Sequence, residues 1–155
     1  MGREEGGEKS PKQTNDLRFF DAPTVEEIAK TLIGQYHSHL QNVPIMYLFN
    51  AKMRDWASMS KRSNKEQFIS GYKFVLEVNH KKWAEMSEKE RTALVDHELC
   101  HAGIDLESGD PVIIDHDVEE FAVIVKRHGL WRDTVKHFGY ACNERIQLSL
   151  MPDAA

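Results

Sequence analysis

The stretch His97-Glu98-Leu99-Cys100-His101 decides how this chain is read. On a helix, residues four apart are separated by about 40° around the axis, so the two imidazoles point the same way, one turn apart. Such a pair can hold one zinc ion through two ring nitrogens. Glu98 then stands beside the metal, where a carboxylate can take a proton from water. With 8 His in the chain, H-E-x-x-H arises by chance on the order of a few per cent of the time, so the flanks must support the helix.

The flanks do so. Ser87-Glu88-Lys89-Glu90 has the S-x-x-E form of a capping box, which satisfies free N–H groups at a helix start. A helix is expected from Glu88 to Gly103, a plausible stop. Within it Val95, Leu99 and Ala102 form one apolar stripe. His97 and His101 lie on another face, with Leu94 one turn before them. A merely solvated helix would not combine an apolar back with paired His on its flank.

Two His leave a hydrolytic zinc site short, since such sites use three protein ligands plus water. The next dense polar cluster is Asp115-His116-Asp117-Val118-Glu119-Glu120-Phe121. It opens a second helical pattern, with Val118, Phe121, Ala122 and Val125 on one face and Gly129 near the end. His116 is the preferred third ligand, because it stands at the helix entry, where a connecting loop can return it to the first pair. Glu119 and Glu120 are rivals that would make a two-His, one-Glu site. Acids at a helix start are also favoured simply by the helix dipole. If His116 is the ligand, Glu119 and Glu120 are candidates to orient a ligand His through a hydrogen bond, as are Asp115 and Asp117.

The segments His97-Glu98-Leu99-Cys100-His101-Ala102 and His116-Asp117-Val118-Glu119-Glu120-Phe121 resemble those of the SprT/Spartan-like zinc proteases. The likeness is closer to a compact group of phage and prophage metallopeptidases, with H-E-L-C-H followed by H-D-V-E-E-F. It spans roughly Thr24 to Trp131, and includes Gly71 to Trp83 in the place of the strand and short helix before the active helix. It implies a minimal zincin-like fold and His116 as third ligand. The SprT-like pattern has Gly after that His, where this chain has Asp117. No Cys-rich zinc ribbon accompanies the motifs.

The 155 residues fit one domain. The expected division is a charged tail over 1–16, a single metallopeptidase domain over 17–150 and a frayed end over 151–155. A net charge of −5 gives no strong nucleic-acid signature. No apolar run reaches membrane-spanning length and no hydrophobic segment opens the chain, so a cytoplasmic protein is expected, in the host cytoplasm if phage-encoded. The sequence sets no oligomeric state. Cys100 and Cys142 do not form a metal-knuckle pair or an expected disulfide. Cys100 flanks the paired His, where a fourth-ligand role is conceivable, but a small residue packed against the next helix is the commoner explanation.

Along the chain, Leu17 to Phe20 offers an apolar anchor. Thr24-x-x-Glu27 has the form of another capping box, opening a helix to about Leu40. Val43 to Phe49 reads as a strand. Ala51 to Gln67 reads as irregular. Tyr72 to Val78 is the best strand; its alternating Lys73 and Glu77 suggest an edge, which could bind an extended peptide by strand addition. Trp83 lies in a short helix or turn. A loop is expected over Ile104 to Asp115, and a final short helix over Leu130 to Phe138.

The expected fold is therefore α+β: a small, mainly antiparallel sheet packed against the H-E-x-x-H helix, with helices around it. The expected activity is hydrolysis of a peptide or protein substrate, with Zn2+ on His97, His101 and His116 and Glu98 as general base. Tyr140, His128 and His137 are candidates for a second oxyanion donor. One alternative is a zinc-stabilised module that binds a host protein without hydrolysis, which would have no use for Glu98. The other is a hydrolase of non-peptide substrates, which calls for a closed pocket rather than an open groove.

Overall fold

The structure is a computed structural model that describes residues 17–116 and 120–150. The expected tail and frayed end, and with them Asp117, Val118 and Glu119, lie outside the described residues.

A four-stranded sheet carries the fold. Its strands are β1 (Phe19–Asp21), β2 (Ile45–Asn50), β3 (Ala57–Lys61) and β4 (Phe74–Asn79), in the order β1-β2-β4-β3. β1 pairs antiparallel with β2, and β3 antiparallel with β4. The central β2–β4 pair is parallel. A parallel pair needs a crossover, and β3 with helix α2 (Asn64–Ser70) supplies it.

This arrangement corrects two expectations. The Tyr72–Val78 run is not an edge; β4 is flanked by β2 and β3, and the edge nearest the H-E-x-x-H helix is β3. Lys73 and Glu77 mark a partly exposed face of the sheet, a different property from an edge position. The stretch Ala51–Gln67 is not irregular, since it contains β3 and most of α2. Ala57-Ser58-Met59-Ser60-Lys61 buries only Met59, too little apolar signal for a strand to be read from sequence. The start of α2 is set by Ser63, whose side chain accepts from the Glu66 N–H. Its end is set by Gly71, at φ +80°, where a side chain would be strained.

Helix α1 (Pro23–Tyr36) begins with Pro23 in its first turn and Ala22 as cap, with no side-chain hydrogen bond there. The Thr24–Glu27 capping box does not form because the helix starts one residue before Thr24. α1 ends at Tyr36, and a separate 3-10 turn, Ser38–Leu40, follows. Helix α3 (His80–Glu85) buries Trp83.

Helix α4 (Glu88–His101) opens with the expected capping box between Ser87 and Glu90. It stops at His101, before Gly103, because Ala102 begins a strand. That strand, β5 (Ala102–Ile104), forms an antiparallel hairpin with β6 (Pro111–Ile113), where a loop was expected. A Cβ on Gly103 would lie 2.9 Å from side-chain carbons of both Val112 and Ile114. Gly103 thus serves close packing of the hairpin rather than the helix stop. Helix α5 is Ala122–His128, with Phe121 as its cap, so it begins later than the expected helical pattern. The final helix, α6 (Asp133–Leu150), runs past the expected Phe138.

Phe74, Leu76 and Val78 of β4 share one core with Val25, Ala29 and Leu32 of α1 and Val95 and Leu99 of α4. The architecture is α+β, with a small sheet packed on the H-E-x-x-H helix. Among the described residues no helix is long and apolar enough to cross a membrane.

Candidate metal centre

The middle of α4 is buried all round. Every residue from Ala93 to Leu99 is buried, including Asp96, His97 and Glu98. Buried polar groups need partners, and those partners define the site.

The structure brings His97, His101 and His116 together. One ring nitrogen of each lies within 4.8 Å of the others, and the Nε2 atoms of His97 and His116 are 2.9 Å apart. Nitrogen ligands around a tetrahedral zinc sit about 3.3 Å from each other, so the His97–His116 spacing is close to what one ion needs. The other ring nitrogens of His97 and His101 face outward. His97 Nδ1 donates to the carboxylate of Glu120, and His101 Nδ1 donates to the carbonyl of Ile114 at 2.6 Å. A proton fixed on Nδ1 leaves the Nε2 lone pair for a metal. Burial holds the imidazoles of His101 and His116 below the ordinary histidine pKa, and the charge of neighbouring imidazoles adds to this; the Ile114 carbonyl opposes it at His101. Neutral imidazole is the metal-binding form. The donor set fits zinc.

His116 reaches the pair through the hairpin. The Ile114 N–H binds the carbonyl of His101 at 2.8 Å, reciprocating the bond to His101 Nδ1. This double tether fixes the chain two residues before His116. Glu120 is not part of the imidazole group. Its Oε1 receives His97 Nδ1 and the Phe121 N–H, and its Oε2 receives the Trp131 indole N–H at 3.0 Å. The expectation of Glu120 as a rival ligand meets a carboxylate bound to the outward nitrogen of His97, and Glu119 lies outside the described residues. The Phe121 ring meets the three imidazoles edge-on, with centroid distances of 5.4, 5.0 and 5.3 Å to His97, His101 and His116.

Glu98 shares an open cleft of about 620 Å³ with the three His. One wall is formed by the β3 strand and the residues just before it, from Arg54 to Met59. Burial pushes the Glu98 carboxyl up to about 7, against the charge of His97, the Met59 N–H and the charge of Arg132. A carboxyl in that range can both accept and return a proton near neutral pH.

Several sequence candidates lie elsewhere. His128 binds Asp96 at 2.8 Å, and Tyr140 and His137 are exposed and do not line the cleft. Cys100 does not join the imidazoles; its Sγ groups with His37 and Asp96, and the residue packs against the core.

Two features escaped the sequence reading. Asp96 is fully buried and accepts from His37 (2.6 Å), His128 (2.8 Å) and Arg127 (2.8 and 2.9 Å). Burial alone would raise its carboxyl; the three partners outweigh this and hold it below the usual range. The partners come from distant segments, so no local pattern announces them. Arg132, just before α6, lines the cleft with Glu98 and His116. Its only sequence signal is a cation next to Trp131.

No curated protein and no solved structure matches the chain. A family model described as "Putative phage metallopeptidase" matches residues 17–139, most of the chain and all of the centre described above. The match agrees with the phage-metallopeptidase resemblance of the two motifs, while the SprT/Spartan-like likeness stands on those motifs alone. The chain belongs to this phage metallopeptidase family.

Proposed function

We propose that the protein is a zinc-dependent peptidase in which His97, His101 and His116 hold the metal and Glu98 is the general base. The observation that carries this reading is the convergence of three imidazoles, two of them oriented through Nδ1, beside a buried carboxyl in an open cleft. When bound, zinc supplies a lowered pKa for water and polarisation of a carbonyl. Glu98 takes the proton of the attacking water and returns it to the leaving amine. A metal site with a purely structural role has no need of such a group.

The substrate is an extended peptide laid along β3. Asn79 N–H binds the Trp56 carbonyl, and Arg62 N–H binds the Lys73 carbonyl. In an antiparallel pair this alternation turns the backbones of Ala57, Met59 and Lys61 to the open edge. Met59 offers its N–H to Glu98. The edge therefore meets the base, and strand addition there would bring a peptide bond to it.

The test is Glu98→Gln in the zinc-loaded protein. Zinc content should stay at one per chain, while cleavage of denatured casein falls by at least about 10³-fold. Retained cleavage, or loss of zinc, would show that Glu98 has another role.

A further inference from the structure

Arg132 stands at the cleft for a structural reason. Glu120, the partner of His97 Nδ1, holds the Trp131 indole with its second oxygen. The adjacent residue is thereby fixed against the site, with its guanidinium 5.0 Å from the Trp131 ring centroid. Arg132 Nε is buried and has no hydrogen-bond partner among the described residues. That Nε is closed off from the cleft, so the donors that Arg132 can offer a substrate in the cleft it lines with Glu98 and His116 are its terminal N–H groups. Its charge is felt at both Glu98 and His116, drawing each pKa down. Arg54 and Lys82 also line the cleft, yet Lys82 spends a donor on the Arg54 carbonyl and lies over Trp56.

We propose that Arg132 is the second partner of the substrate carbonyl, donating to the oxygen that becomes negative as water adds. This rests on the zinc-peptidase reading above. In the step, the water oxygen bonds to the carbonyl carbon and its proton passes to Glu98. The C=O electron pair moves onto the oxygen facing Arg132. Collapse re-forms the C=O bond and breaks the C–N bond, and Glu98 gives its proton to the nitrogen. A donor aimed at developing charge stabilises that state more than the ground state.

The experiment compares zinc-loaded wild type, Arg132→Ala and Arg132→Lys. Turnover is read on fluorescein-labelled casein. Binding is read with a pool of doubly blocked phosphinic tetrapeptides, which carry a tetrahedral anion, and with acetohydroxamate, which needs only the metal. Arg132→Ala should lower kcat about 10²–10³-fold with little change in KM, and weaken phosphinate binding by a similar factor. Acetohydroxamate affinity and zinc content should be unchanged. Arg132→Lys should recover part of the loss, as a point charge without the planar fork. Unchanged kcat in Arg132→Ala overturns the proposal. So does loss of zinc and hydroxamate binding together, which would mark a structural role. So does a defect confined to peptides with a free terminal carboxylate, which would mark end recognition. A wild-type zinc protein that neither cleaves casein nor binds the phosphinates sinks the peptidase reading itself, and Arg132 with it.

Discussion

Glu120 accepts a hydrogen bond from Nδ1 of His97, a residue 23 positions before it in the chain. The same carboxylate holds the Trp131 indole, so one side chain joins α4 to the segments ahead of α5 and α6. An outward partner of this kind sets the tautomer and the angle of a ligand imidazole.

Glu120→Gln should therefore weaken zinc binding about 10–100-fold while leaving every imidazole in place. His116→Ala, which removes a donor nitrogen, should weaken it more. Competition against a chromophoric zinc chelator measures both. Wild-type affinity in Glu120→Gln would show that His97 keeps its orientation without the charge.

Asp96→Asn should destabilise the metal-free protein by about 3 kcal/mol, the range for removing one partner of a buried charge cluster. The substitution keeps the shape but leaves the Arg127 guanidinium without its counter-charge and weakens the acceptor for His37 and His128. Urea unfolding with a chelator present gives the number. A loss under about 1 kcal/mol would show that the cluster is solvated or replaced by other contacts.

The contrast between these two acids shows what a sequence can reveal. His97, Glu98 and His101 share one helical turn, and Ser87 with Glu90 marks where that helix starts, so spacing and cap together expose them. His116 is singled out by ligand chemistry, and the structure places it beside the pair. The strand order was not. Alternation in Tyr72–Val78 reports which face is wet, and says nothing of which neighbours lie beside the strand, so a central strand was read as an edge. β3 was invisible because its inward signal is one residue, Met59. Asp96 looks like a third polar letter beside H-E-x-x-H; its partners His37, Arg127 and His128 stand 59, 31 and 32 positions away.

Zinc should raise the melting temperature by mass action, since it binds the folded site. At a free concentration of about 100 times Kd the gain is about 2.7 kcal/mol, or roughly 5–10 °C for a domain of this size. His116→Ala should lose most of that rise at the same zinc concentration. Scanning calorimetry with zinc and with chelator tests this. An equal rise in His116→Ala would place the ion elsewhere.

The metal-free protein should lose stability in acid, and Asp96 should account for a share of it. Burial alone would favour the neutral carboxyl, but hydrogen bonds from His37, His128 and Arg127, with the charge of Arg127, hold the folded-state pKa below its ordinary value. The unfolded chain therefore takes up the proton more readily than the folded one. The resulting stabilisation is fully present above the unfolded aspartate pKa, about 3.9, and is lost as pH falls below it through the lower folded value. Asn cannot titrate, so Asp96→Asn should be less stable than wild type near pH 6, with the gap narrowing below about pH 4. Urea unfolding across that range, with a chelator present, reads the gap directly. A gap that stays constant, or widens, as the pH falls would mean that Asp96 is not ionised in the folded protein.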